Sequence, residues 1–212
     1  MRSALQKARE APSSTKARIL AAAEEVFAAK GFAGASTRDI AAKARVNISS
    51  LHYHWESKET LYVAVFQNIY DRILDLVRRS IPGRVRSMTP GPSVVEQAMG
   101  GLFDFFADHP TVPKLLVRRL LENEESPVDI EPDVLVPAWK VFAAWAEEFS
   151  GRKRRDADFQ LFMLTVYSVL LLFLLDSRQF TSLLGGSVYT PKVGKRVRAH
   201  MISMVKTLLE RT

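Results

Sequence analysis

The sequence predicts an all-α protein: a three-helix unit with a helix-turn-helix near the N-terminus, joined by one long helix to a larger helical domain. Three observations carry this. Apolar residues recur every three to four positions along most of the 212 residues, and no stretch alternates as a half-buried strand does. Between Thr37 and Trp55, two short amphipathic segments flank a polar turn. Over residues 60–81 a sustained helical period (Leu61, Val65, Ile69, Ile73, Leu76, Val77) is long enough to serve both parts.

Residues 1–13 are polar and basic, with Arg2, Lys7 and Arg9 ahead of Pro12, and read as a flexible arm. Ser13 or Ser14 caps a first long helix with an apolar face of Ile19, Leu20, Ala23, Val26 and Phe27, which Gly31 closes. A short helix then starts with Thr37 as its N-cap, and Asp39 suits the positive end of its dipole. Ile40, Ala41 and Ala44 share one face, with Ala41 small enough for close approach of the next helix. Asn47 caps that next helix, which carries Ile48 and Leu51, and Ser57 caps the long one. Pro82-Gly83 stops the long helix, and residues 84–93 are a loop. Further helices are expected at 94–107, 113–124, 137–149, from Asp156 or Asp158 to Leu175, and at 191–209. Loops are expected at 126–133, 151–155 and 180–190. The domain division is an arm at 1–13, a helix-turn-helix domain at 14–74 with the motif at about 37–56, and a helical domain at 75–212.

The second short helix exposes Ser49, Ser50, His52, Tyr53 and His54, donors and acceptors that reach base edges or phosphate oxygens in a major groove. Thr37, Arg38 and Lys58 are placed to hold phosphates and Asn47 to cap the helix. Ser49, Ser50 and Tyr53 are the base readers, and His52 and His54 suit either task. An ordinary helical hairpin with a solvated polar face is the alternative. The pattern holds over about twenty consecutive positions, the length of a helix-turn-helix, which argues against it.

Charge agrees with this placement. The net charge is +7, and residues 1–58 hold ten Lys/Arg against five Asp/Glu, so +5 of it lies there. A hydrophobic content of 47% with 25% charged residues excludes bulk disorder. The absence of cysteine excludes disulfides, thiolate metal sites and cysteine nucleophiles. The longest apolar run, 161–175, is shorter than the roughly 20 residues of a membrane-spanning helix, and the N-terminus lacks the apolar core of a signal peptide. A cytoplasmic protein without membrane partner, metal or cofactor is expected. An enzyme is the rival class. Its histidines do not support it: His52 and His54 diverge on a helix, and Glu122, Glu124 and Glu125 have no histidine at useful spacing. There is no glycine-rich phosphate loop either.

Residues 14 to about 74 resemble the DNA-binding domain of the TetR family of transcriptional regulators. The resemblance rests on Ile19-Leu20-Ala21-Ala22-Ala23 with Phe27, on Gly31-Phe32, on Ser36-Thr37 with Asp39-Ile40-Ala41, and on Val46 and Leu51. It continues through His52-Tyr53-His54-Trp55 and Ser57-Lys58-Glu59-Thr60-Leu61. Two departures are Arg45, where the family often has Gly, and His52, where it usually has Tyr. The resemblance implies a homodimeric regulator on a near-palindromic double-stranded DNA operator, most often a repressor released by a small-molecule effector. A regulator controlled by a protein partner, or without an effector, is the second reading. The last two long helices are then implied as the dimer interface, through Leu161, Leu164, Leu171, Val197, Met201, Met204 and Leu208. A hydrophobic or aromatic effector is implied among Phe103, Phe106, Trp139, Phe142, Trp145 and Tyr167, with His109 or Arg118 as polar anchor. The rival for each aromatic is ordinary core.

Overall fold

The computed structural model describes residues 4–79, 92–122, 128–150 and 157–210. Among these it is helical throughout, without strands. Packing groups the chain into two compact units, residues 1–71 with 114–136 and residues 72–113 with 137–212. Segment 114–136, expected in the C-terminal domain, therefore packs with the N-terminal unit.

The first unit begins with α1 (Ala4–Glu10), where a flexible arm was expected. Leu5 and Ala8, three apart, are buried on one face of it. Arg9 anchors it, with Nη2 2.7 Å from an Asp71 carboxylate oxygen and Nε donating to Asn68 Oδ1 at 3.1 Å. Helix α2 (Thr15–Gly34) is capped by Ser14, whose hydroxyl accepts from Ala17 N at 3.2 Å. It is broken at Gly31, where φ is +72°. The break opens the carbonyls of Ala28 and Ala29 and the N–H of Phe32 to partners from outside the helix.

A helix about 90 residues downstream supplies them. In α7 (Thr111–Glu122), Arg118 donates from Nε to Ala28 O at 3.3 Å and from Nη2 to Ala29 O at 3.2 Å. Glu122 accepts from Phe32 N at 3.4 Å and pairs with Arg118 Nη1 at 3.2 Å. A cation thus meets the carbonyl end and a carboxylate the N–H end of the broken helix, as the helix dipole favours.

Helix α3 (Thr37–Ala44) is capped by Ser36 and not, as expected, by Thr37. Ser36 Oγ accepts from Asp39 N and the Asp39 carboxylate accepts from Ser36 N, each at 3.1 Å, a reciprocal capping box. Helices α4 (Ile48–His54) and α5 (Lys58–Arg79) follow. Ile40, Ala41, Ala44 and Leu51 are buried as the period requires. The centre is aromatic: Tyr62 sits 5.0 Å from the Phe27 and Phe32 ring centroids and 4.9 Å from that of Phe66. Each such fully buried ring contributes roughly 2–3 kcal/mol of transfer free energy. Residues 131–135, of which 131–133 were expected as loop, form a π-helical turn, with Leu135 N donating to Ile130 O at 3.2 Å and Val134 buried.

The second unit contains α6 (Pro92–Asp108), α8 (Val136–Ser150, from residue 137), α9 (Ala157–Phe173), α10 (Arg178–Leu184) and α11 (Pro191–Glu210). The expected stop at Pro82-Gly83 and the turn at 151–155 lie outside the described residues, as does most of the 84–93 loop. Val193, Val197, Met201 and Val205, spaced by four, form the buried stripe of α11, which packs on α6. Asp104 holds Arg198 through two bonds of 2.9 and 3.0 Å across that pair, and Lys206 pairs with Glu96. Gly194 allows a close approach, because a β-carbon there would lie 2.6 Å from the Val188 carbonyl oxygen. Helix α10, expected as connection, is capped by Ser177, which accepts from Phe180 N at 3.3 Å. No single described helix is long and apolar enough to cross a membrane; α9 and α10 pass on composition only as a pair bent by 89°.

Candidate nucleic-acid interface

Two groups hold the turn between α3 and α4 in shape. Arg45 adopts φ 55°, ψ 48°, the left-handed conformation that glycine takes without strain. Arg18, on α2, donates from Nη2 to Ala44 O at 2.9 Å and Arg45 O at 3.0 Å, tying the turn to the supporting helix. Arg45→Gly is therefore expected to raise stability by about 0.5–1 kcal/mol, because the left-handed penalty disappears. Thermal unfolding checks this; an unchanged or lower Tm would mean that the Arg45 side chain offsets its own strain.

Helix α4 starts at Asn47, whose Oδ1 accepts from Ser50 N at 2.6 Å, the capping role expected of it. Leu51 fixes its inner face with no exposed surface. Ser49, His52 and Tyr53 are then exposed, Tyr53 at 84%, and Ser50 is half-buried. Ile48, expected inside, is 37% exposed at the first turn, so it joins this outer face as an apolar group suited to a thymine methyl. His54 departs from the pattern. Its ring lies edge-on to Tyr53 at 5.0 Å, and its Nδ1 is buried without an acceptor or donor among the described residues. Burial, and then the nearby Lys16 charge, lowers its pKa below the usual histidine value.

Thr37 is half-buried and Arg38 exposed at the start of α3. The Asp39 carboxylate is held by Lys30 at 2.8 Å and by Ser36, which together lower its pKa to about 2. Lys58 does not stand free for a phosphate, as the sequence suggested. Its Nζ donates to Phe32 O at 3.0 Å and Ala35 O at 3.1 Å and lies 4.2 Å from the Phe32 ring centroid. These bonds pin the segment between α2 and α3, a task visible only once both carbonyls are placed. Lys58→Met is expected to lower stability by about 1–2 kcal/mol. A Tm equal to that of the parent would return Lys58 to the surface.

Phe103 and Phe106 are buried core side chains of α6. His109 Nδ1 bonds Phe105 O at 2.7 Å and its ring stacks on Phe105 at 4.7 Å, so it closes the end of α6. Arg118 is spent on α2, as described above. Trp139 and Tyr167 meet edge-on at 6.3 Å, with Phe142 half-buried; the Trp145 side chain lies outside the described residues. On α9 and α11, Leu171, Val197 and Met201 are buried within the chain itself and are not available to a second subunit. Met204 and Leu208 are half-buried, while Leu161 and Leu164 are 61% and 53% exposed.

A supporting helix, a tight turn and a second short helix with a capped start and an exposed polar face define a helix-turn-helix nucleic-acid-binding unit. Residues 19–65 match the family model of bacterial regulatory proteins, tetR family. It is 34% identical over 105 residues to the transcriptional repressor SCO4008 of Streptomyces coelicolor, covering 50% of this chain and 49% of that one. It is 33% identical over 90 residues to the transcriptional activator FasR of Mycolicibacterium smegmatis, covering 42% and 39%. The chain thus spans half or less of the length of these curated relatives. The fold extends further: the crystal structure of SCO4942 from Streptomyces coelicolor superposes with a TM-score of 0.67 at 23% identity, covering 92% of this chain and 98% of that one. Salmonella enterica GusR gives 0.61 at 19%, covering 92% and 95%. The family and these relatives are regulators, not enzymes.

Proposed function

We propose that this protein is a sequence-specific DNA-binding regulator of transcription, acting as a homodimer on a near-palindromic operator. The outer face of α4 carries this reading: Ile48, Ser49, His52 and the 84%-exposed Tyr53 stand on a helix whose start and inner face are fixed by Asn47 and Leu51. A rigid backbone presenting exposed base-reading groups is what major-groove recognition needs. Arg38 and Thr37 at the start of α3 are the phosphate contacts. Binding of the full chain to an operator selected from random DNA tests this, with affinity falling steeply as salt rises. Non-specific binding alone would refute it.

The dimer reading rests on α9. Leu161, Leu164, Thr165, Ser168 and Leu172 lie on one exposed face of a helix whose other face is core. Exposed leucines in a continuous stripe suit a second copy of the same helix. Leu164→Glu is expected to raise the dimer dissociation constant at least about tenfold, one buried leucine being worth more than 1.4 kcal/mol. Its exposure within one chain means that the fold itself survives. Sedimentation equilibrium decides; an unchanged constant would move the interface elsewhere.

The direction of control is repression, since a dimer on an operator blocks polymerase, with release by a small effector that binds the released state better. A protein partner or no effector is the second reading. Helix α5 runs unbroken across the division between the units and is one route by which an effector would reach the recognition helices.

A further inference from the structure

Among the described residues, Arg119 is the only charged side chain in the core, 4% exposed. Its neighbour Arg118 uses all three guanidinium nitrogens on Ala28, Ala29 and Glu122. Arg119 does not. Nη2 lies 3.6 Å from Glu131 Oε1, while Nε and Nη1 have no acceptor among the described residues. A guanidinium holds five N–H donors in a planar fork, and a buried one left short of acceptors is costly. Its single counter-ion is weakly held, because the Glu131 side chain is 44% exposed. Glu131 also opens the π-helical turn of residues 131–135, a geometry frequent at functional sites.

We infer that Arg119 anchors a binding site for a small organic carboxylate inside the helix-turn-helix unit, with Glu131 as the internal counter-ion that the ligand displaces. The fork shape matches a carboxylate in two parallel bonds. Glu122, three residues further along α7, accepts from Phe32 N at 3.4 Å, which places this helix beside the aromatic cluster of Phe27, Phe32, Tyr62 and Phe66. With the carboxylates of Glu122 and Glu131 nearby, a monoanion with an aromatic body fits better than a phosphate dianion. Arg118 and Glu122, which close the break in α2, flank Arg119 on the same helix, so a ligand that moves α7 acts directly on the support of α3 and α4. The inference deepens the effector reading above by naming the ligand class and its anchor.

Thermal unfolding of the full chain without DNA, titrated with sodium benzoate and separately with inorganic phosphate, tests it. Benzoate is expected to raise Tm saturably, by about 3–5 °C at a tenfold excess over its Kd, and phosphate is expected to do nothing. In Arg119→Met the benzoate shift disappears. In Glu131→Gln, which alters only an exposed side chain, benzoate binds several-fold more tightly. An equal shift in Arg119→Met, an unchanged affinity in Glu131→Gln, or no shift in the parent would each overturn the site; an equal response to phosphate would overturn the ligand class. A parallel measurement of operator affinity is expected to show about a tenfold loss with benzoate in the parent alone. Because the thermal arm contains no DNA, failure of the operator reading leaves the Arg119 test intact.

Discussion

Tyr53→Ala is expected to lower affinity for a selected operator by about 10–100-fold and to relax base preference at the positions it contacts, since a good base contact contributes about 1–3 kcal/mol of discrimination. The ring is 84% exposed and meets the edge of the His54 ring, so Tm should stay within about 2 °C of the parent. That combination separates a recognition residue from a structural one. Fluorescence anisotropy on the selected operator and on a scrambled duplex measures both effects. An equal loss on the two duplexes would make Tyr53 a backbone contact, and no loss would remove α4 from the groove.

Gly31→Ala should destabilise the first unit by about 2–3 kcal/mol, a fall of roughly 5–10 °C in Tm. Two causes add. A side chain at φ +72° carries the left-handed penalty of about 1–2 kcal/mol. A β-carbon there would also lie 2.2 Å from Glu122 Oε1, so the carboxylate must leave Phe32 N and Arg118, forfeiting about 1 kcal/mol of hydrogen bonding. In the Glu122→Ala background the second part is already absent, so the same substitution should cost about 1 kcal/mol less. Equal costs in both backgrounds would show that α7 does not support the break in α2.

Local signals were legible in the sequence, and long-range ones were not. Asn47 and Ser57 read correctly as caps, and Ser14 is one of the two caps expected for α2, because a capping side chain and its target lie within three residues. The cap of α3 was misplaced by one residue, since Ser36 and Thr37 are both good caps and only the reciprocal bond with Asp39 chooses between them. The face of Ile40, Ala41, Ala44 and Leu51 followed from period alone. Arg118 shows the opposite case. Its partners Ala28 O and Ala29 O are about 90 residues away, and nothing in a basic residue on an amphipathic helix announces that it closes another helix. Lys58 fails for the same reason, its targets being backbone carbonyls that any sequence could supply. Val197 and Met201 were correctly read as an apolar stripe, but period cannot say whether such a stripe meets α6 of the same chain or a second chain. Helix α10 was missed because two glycines at its end outweighed a short helical stretch, although Ser177 marks its start.

Selection of bound duplexes from a random pool with the full-length chain tests the central claim most directly. A dimeric helix-turn-helix regulator predicts enrichment of a near-palindrome with half-sites about one helical turn or a multiple apart, lost or relaxed in Tyr53→Ala. No enrichment, or an enriched sequence that Tyr53→Ala binds equally well, would contradict the assignment of α4 as the recognition helix.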